Sequence, residues 1–333
     1  MKAVALICSE TMAFSLEQVI LPDLQDGDIL VKTAWSGVSI GTEFALIRNK
    51  ISWGPFPIAT GYMATGVVEA LGNGVVDVKA GDRVFVRGNR KMTLLDGTPV
   101  SPVSGTHCSR IVTHTGGTHG AGILPEGLSL ETASMFVMPA VGYNGVDMSN
   151  PRMGENVVVF GCGQIGLGVV SASSLRGCRV IAVDVADSAL EMAKTFGADA
   201  TINSATQPVG EALAAICPNG ADVVFECTGI PALVDQAMSL CRVDGKFVWQ
   251  GNYGAKPMPF SFLTAHNRRL QTFFPCDDGC LPCRHAVLKQ MARGVLPWEK
   301  TITHRVDAQD APALFERINS GGKGISGATI KWA

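Results

Sequence analysis

Residues 157–184 read VVVFGCGQIGLGVVSASSLRGCRVIAVD and hold the residues whose spacing speaks most directly of chemistry. The apolar run Val157–Phe160 stops at Gly161-Cys162-Gly163-Gln164-Ile165-Gly166. A helical pattern follows, then a second apolar run, Val180–Val183, closed by Asp184. Strand, glycine turn, helix, strand and acid form the arrangement that a dinucleotide requires. Gly161 permits the tight turn, Gly163 lets backbone approach a pyrophosphate, and Gly166 lets the helix pack close to the strand. The free N–H groups that open such a helix favour the negative charge of the phosphates.

Asp184 refines the reading. At the tip of the second strand, its carboxylate can accept hydrogen bonds from an adenosine ribose and would repel a 2′-phosphate. The next residues, Val185-Ala186-Asp187, bring no Lys or Arg to pair with such a phosphate. NAD is therefore expected over NADP. Asp184 or Asp187 is also expected to cap a helix over Ser188–Phe196, and the two roles can coexist.

The elements that must position these residues follow from length and composition. A chain of 333 residues exceeds the usual size of one core, so two domains are expected. Hydrophobic content of 47%, charged content of 17% and 38 glycines suit a turn-rich α/β protein. A net charge of −2 gives no basic footprint for nucleic acid and no attraction to a membrane surface. No stretch approaches the roughly 18 uninterrupted apolar residues of a membrane span. MKAVALICSETM reads as a first strand and not a signal peptide, because Glu10 follows and no small-residue cleavage site is evident. Ten cysteines without secretory features then imply free thiols in a reducing, cytoplasmic setting.

Residues 1–138 contain short strand-like runs between Gly, Pro and Asp turns: Ile29–Ala34, Gly66–Leu71, Arg83–Val86 and Ser109–Thr113. Residues 139–275 alternate strands and helices, with Val157–Phe160, Val180–Val183, Val223–Glu226 and Lys246–Gln250 as strands of a parallel sheet. Residues 276–333 add a helix near Leu281–Arg293, a strand near Thr301–Val306 and a helix near Ala308–Ile318. The expected plan is a β-rich domain over 1–138 and 276–333, with a nucleotide domain over 139–275 set between.

Over nearly its full length the chain resembles the medium-chain dehydrogenase/reductase superfamily. The residues that carry the likeness are Gly61, Gly66-Val67-Val68-Glu69-Ala70-Leu71-Gly72, Gly81-Asp82-Arg83-Val84, the Gly161–Gly166 turn, Asp222-Val223-Val224-Phe225-Glu226-Cys227-Thr228-Gly229 and Thr303-His304-Arg305. The resemblance implies a GroES-like β-rich catalytic domain plus a Rossmann domain, a doubly wound parallel sheet, with substrate in the cleft between them. It implies a small-molecule substrate and a homodimer or homotetramer. It also places Cys227-Thr228-Gly229 and Gln250-Gly251 on the cofactor side.

Zinc-dependent members of that superfamily carry a Cys just before a Gly-Thr-Asp turn, a Gly-His-Glu motif, and a third acidic or thiol ligand ahead of the nucleotide domain. This chain has Ser36-Gly37-Val38-Ser39-Ile40-Gly41-Thr42-Glu43, Gly61-Tyr62-Met63 and Phe136-Val137-Met138-Pro139 instead. A Ser or Ile, a Tyr and two Met replace sulfur, imidazole and carboxylate, and that set suits zinc poorly. Residues 87–107 contain no cysteine, so the four-cysteine zinc lobe is missing as well. The expectation is a protein without metal. The Ser-x-Gly-Thr-Glu and Gly-Tyr signatures are most similar to the zinc-free branch with the hydroxyethyl-bacteriochlorophyllide dehydrogenases and related sugar- or cyclitol-tailoring enzymes. Met63 departs from that branch, where a Glu is expected, so its substrate does not carry over.

Without zinc, positioned hydrogen-bonding groups must handle the proton that accompanies hydride transfer. The resemblance makes Thr42 the counterpart of a relay hydroxyl. Tyr62, where an imidazole ligand would stand, is a candidate acid/base or oxyanion donor, or else fills the vacated metal pocket with its hydroxyl on backbone. Tyr143 and Asn144 could face the nicotinamide, Glu43 could orient one of these groups, and His107 could line the cleft. Cys276, Cys280 and Cys283 in PCDDGCLPCR could be a metal site or a redox pair, with His285 the nearest fourth ligand, but read mainly as a helix start. His107, His114 and His119 read as ordinary loop and strand positions. The expected activity is NAD-dependent hydride transfer to or from a secondary alcohol or ketone of a polyol, cyclitol or sugar derivative. The alternatives are a zinc-free reductase of activated C=C bonds and an NAD(H)-binding protein without turnover. Ser-Ile-Gly-Thr-Glu, where quinone reductases carry an Asn-Pro-Val-Asp-like segment, lowers the first of these.

Overall fold

The computed structural model describes residues 1–48 and 54–333. Two compact units emerge, one made of Met1–Val137 with Leu288–Ala333, the other of Met138–Val287. The boundary expected at 275 therefore falls at 287, inside the helix Leu281–Ala292. The first turns of that helix, with Cys280 and Cys283, go with the nucleotide unit.

The first unit contains a small closed barrel of Lys2–Cys8, Phe14–Ile20, Met92–Leu94, Pro99–Pro102 and Ile58–Ala59. Beside it lies a sheet organised around one long strand, Asp28–Val38. That strand pairs antiparallel with Ala64–Leu71, with Arg110–His114 and with Ala328–Lys331 near the end of the chain. Ala328–Lys331 in turn pairs parallel with His304–Asp307. The tail thus returns to the first unit as the sequence implies. The strand expected near Thr301–Val306 starts late because Trp298–Thr301 forms a 3₁₀ turn first. The helix expected from Ala308 begins at Ala311, with Pro312 in its first turn, where a missing N–H costs nothing. Its Phe315 packs against Phe14 and Phe44, ring centroids 5.4 and 5.3 Å away, in the core beneath the helix Ile40–Ile47.

The second unit is a six-stranded, all-parallel sheet in the order Ala200–Asn203, Arg179–Asp184, Asn156–Phe160, Ala221–Glu226, Cys241–Trp249, Gln271–Phe273. Chain order reverses between Asn156–Phe160 and Ala221–Glu226, the switch point at whose carboxyl end ligands bind in such sheets. The middles of the central strands, Val157–Phe160 and Val223–Phe225, are apolar, as burial on both faces demands. Helix Val137–Ser149 meets helix Gln164–Leu175 through glycine: a Cβ on Gly142 would stand 2.7 Å from the Ile165 carbonyl oxygen, and one on Gly168 would stand 2.8 Å from Pro139 Cα. Among the described residues no helix is long and apolar enough to cross a membrane.

Candidate active site

The glycine turn is tight on one side and open on the other. Gly161 sits at φ +90°, and a Cβ there would strike the Thr228 methyl group at 2.8 Å. Gly166 packs so tightly on the turn that a Cβ would come within 1.9 Å of the Gly161 oxygen. Gly163 is the opposite case: it precedes the helix Gln164–Leu175, it is exposed, and nothing lies within 4 Å of where its Cβ would be. The helix start therefore has open space in front of it, of the kind a pyrophosphate takes in such turns. Ile165 and Gln164 form the first helical turn behind this opening.

Asp184 closes the turn. One carboxylate oxygen accepts from the Cys162 N–H at 2.7 Å, and the other from the Ala186 N–H at 3.0 Å. Each oxygen keeps a lone pair for a ribose hydroxyl. The expected capping role does not hold. Ala186 is the N-cap of helix Asp187–Thr195 with no side-chain bond, and Asp187 instead accepts from Asn203 Nδ2 at 2.6 Å. Cys162 is buried, with its thiol over the Val183 carbonyl, and burial pushes it up to about 12, so it is an inert small residue.

Across the switch point a buried carboxylate, which sequence reasoning passed over, organises the second turn. Glu226 ends its strand with no exposed surface and accepts from Thr228 N–H at 2.9 Å, Gly229 N–H at 3.1 Å, the Thr228 hydroxyl and the Tyr253 hydroxyl. Its backbone oxygen takes the N–H groups of Gln250 and Gly251 at 3.0 and 2.8 Å. One acid so fixes Cys227-Thr228-Gly229 and Gln250-Gly251 together. Burial and then Glu226 push the Cys227 thiol well above its usual value. The Gln250 side chain donates to the Val141 carbonyl at 3.2 Å and lies against Gly145, so its amide serves packing. The available signal was a glutamate directly after the apolar run Val223–Phe225.

In the first unit, a polar network runs beneath Thr42 and Tyr62. His107 is fully buried, with Nδ1 2.8 Å from Ser36 Oγ and Nε2 2.9 Å from Glu43 Oε2. Trp332 Nε1 donates to the same Ser36 oxygen at 2.8 Å. Ser36 Oγ thus joins Trp332 to His107, and His107 joins Ser36 to Glu43. The other oxygen of Glu43 accepts from the Ser39 N–H at 2.7 Å, tying down the start of helix Ile40–Ile47. The Tyr62 hydroxyl donates to Ser39 Oγ, and the Thr42 hydroxyl also reaches it. Gly61, at φ +92°, brings Tyr62 in: a Cβ there would meet the His107 ring at 2.8 Å. Buried Arg87 lies 5.1 Å from the centre of the Tyr62 ring and donates to its carbonyl at 2.6 Å. Burial pushes the Tyr62 phenol up to about 12, against the downward pull of Ser39 and Thr42.

Two of the expected site residues stand apart from these clusters. The Tyr143 hydroxyl is 3.3 Å from Ser171 Oγ, about two turns along the helix from the glycine turn. Burial pushes Tyr143 up to about 12, and it packs helix on helix instead of facing the cofactor turn. Asn144 donates to the carbonyls of Cys276 and Asp277 and pins that loop. His114 and His119 are exposed and do not join His107. Met63 is buried, and with Met135 it fills the space beside Gly37, where a Cβ would stand 2.6 Å from the Met135 sulfur. Glu43 and His107, the metal-capable side chains of this region, are spent on each other. The donor set beside Tyr62 does not fit zinc.

The profile of the alcohol dehydrogenase GroES-like domain matches residues 25–140, and that of the zinc-binding dehydrogenase family matches residues 165–290. Sorbitol dehydrogenase 1 of Saccharomyces cerevisiae is 30% identical over 294 residues, 80% of each chain. The chain belongs to the medium-chain dehydrogenase/reductase superfamily. A D-xylulose reductase of Scheffersomyces stipitis is 26% identical over 354 residues, 95% of each chain. The fold is that of an alcohol dehydrogenase from Thermus sp. ATN1, with a TM-score of 0.84, 24% identity and 99% of each chain covered. This superfamily member is a dehydrogenase of the alcohol type, with the expected GroES-like and Rossmann halves.

Proposed function

We propose that the protein is a zinc-independent, NAD-dependent dehydrogenase that moves hydride between the nicotinamide and a secondary alcohol or ketone of a polyol, cyclitol or sugar derivative. One observation carries the zinc-free part: where metal ligands would stand, Tyr62 donates into a network of Ser39, Glu43 and His107. The relatives named sorbitol dehydrogenase and D-xylulose reductase support a polyol. A nicotinamide dinucleotide supplies the hydride acceptor. The chain's own part is the proton: the Thr42 and Tyr62 hydroxyls relay it, each giving up its own proton as it takes the alcohol's, so that it leaves to solvent in oxidation and returns by the same route in reduction. Tyr62 acts as a neutral donor, since its phenol ionises only near pH 12. The reading includes a cytoplasmic homodimer or homotetramer. Ten free thiols support the compartment. The edge strand Gln271–Phe273 supports assembly, flanked by exposed Phe262, Leu263 and Phe274.

A polyol and sugar panel with NAD, read by NADH appearance, tests the activity. Turnover of an enone and of no alcohol would favour C=C reduction, and no turnover at all a binding protein. Elemental analysis of the purified protein is expected to show no stoichiometric zinc, and about one tightly held zinc per chain would overturn that part. NAD is expected to bind more tightly than NADP. Asp184→Ser removes both the ribose acceptor and the anchor of the Cys162 N–H, so NAD affinity should fall roughly 10- to 100-fold, the scale of a lost hydrogen bond to a charged group. Equal affinity for the two cofactors in the unaltered protein would sink the assignment.

A further inference from the structure

Cys280 and Cys283 lie outside everything assigned above. Cys280 is the residue before helix Leu281–Ala292, and its carbonyl accepts the first helical bond, from Arg284 N–H at 3.2 Å. Cys283 is one turn further on, which puts the two Cα atoms about 5 Å apart, inside the range that a disulfide spans. Their sulfurs lie within 4.8 Å of each other. The pair is graded in exposure: Cys280 is half-buried and Cys283 only 8% exposed. The turn is held from below by a fully buried ion pair, Arg284 with Asp278 at 2.7 Å.

The same cluster includes Asp147, which makes three potential metal ligands. Asp147, however, is already bound to Arg176 at 2.7 Å. Among the described residues no fourth ligand completes the group, and His285 does not join it. The geometry favours sulfur reacting with sulfur over a metal.

We propose that Cys280 and Cys283 form a reversible dithiol–disulfide site that exchanges with small disulfides of the glutathione class. The accessible Cys280 thiolate attacks the disulfide, forms a mixed disulfide and releases one glutathione thiolate, which takes up the proton Cys280 lost. Cys283 then attacks the Cys280 sulfur, the internal bond forms, and the second glutathione leaves with the Cys283 proton. Two protein thiols are oxidised and one glutathione disulfide is reduced to two thiols. Burial, followed by the bond to Cys280, pushes the Cys283 thiol up to about 12, which leaves the first attack to Cys280.

The test equilibrates the whole protein in glutathione buffers of graded oxidation, traps free thiols with an alkylating agent and maps the peptides by mass. The expected result is loss of two of the ten thiols, joined as Cys280–Cys283 and restored by dithiothreitol. Cys283→Ser should stall with one glutathione on Cys280, and Cys280→Ser should abolish the internal bond; its half-exposed position keeps that variant folded. The proposal is overturned if both thiols stay alkylatable in oxidising buffer while exposed Cys276 reacts, if Cys276 pairs with either of them, or if added zinc protects both thiols stoichiometrically.

Discussion

Thr42→Val and Tyr62→Phe are each expected to lower turnover by about 100-fold or more, the scale of lost general acid–base help, while NAD affinity stays put. Both changes keep shape and delete one hydroxyl. Tyr62→Phe removes a bond to Ser39 Oγ, a stability change of about 1 kcal/mol, so the variant should fold. The Arg87 guanidinium stays stacked on the ring and holds the aromatic plane in place. Because burial keeps the phenol protonated, the wild-type pH–rate profile should show no limb from Tyr62 through the neutral and mildly alkaline range. Steady-state kinetics with NAD and the best polyol from the panel measure both effects. Near-normal turnover in both variants would leave the hydroxyls as pocket filler and shift the proton to Glu43 or His107.

Glu43→Ala is expected to cost about 2–4 kcal/mol of stability, the scale of leaving two buried donors without their acceptor. Three groups lose at once: His107 Nε2 its acceptor, the Ser39 N–H its partner, and the helix Ile40–Ile47 its anchor. Glu43→Gln keeps one of the two acceptors and should lose roughly half as much. Denaturant unfolding of the two variants compares them directly, read as a shift in midpoint at unchanged slope. A loss under about 1 kcal/mol in the alanine variant would mean that water reaches His107 and that the network is not the anchor described.

The nucleotide unit was legible in the sequence because its signals are local. Gly161, Gly163, Gly166 and Asp184 fall within one strand–helix–strand unit, and each structural demand names a residue type. Of the proposed proton-handling site, Thr42 and Tyr62 were named through resemblance, with Glu43 and His107 as further candidates, but not how the four connect. Its supports come from far apart in the chain: Glu43 meets His107 across 64 residues, and Trp332 meets Ser36 across 296. No periodicity can announce such a meeting. Tyr143 shows the converse limit. Its position near the start of the nucleotide unit suggested the cofactor, but the phase of its helix turns it onto Ser171. Asp187 was read as a cap because it precedes a helical pattern, and the helix simply begins one residue earlier than that reading required.

The pairing of Asp28–Val38 with Ala328–Lys331 sets the order in which the chain can be finished on the ribosome. The nucleotide unit is one continuous stretch, Met138–Val287, and can close its sheet as soon as it has emerged. The unit made first must wait: the Ser36 end of its long strand stays an open edge, and His107 lacks the Trp332 end of its hydrogen-bond chain, until Ala328–Trp332 have been made. An early-made, late-completed sheet of this kind leaves the edge of Trp35–Val38 unpaired while the nucleotide unit is made, which makes the first unit the aggregation-prone half of a nascent chain. Shortening the tail by its last strand should therefore lower soluble yield out of proportion to the number of residues removed.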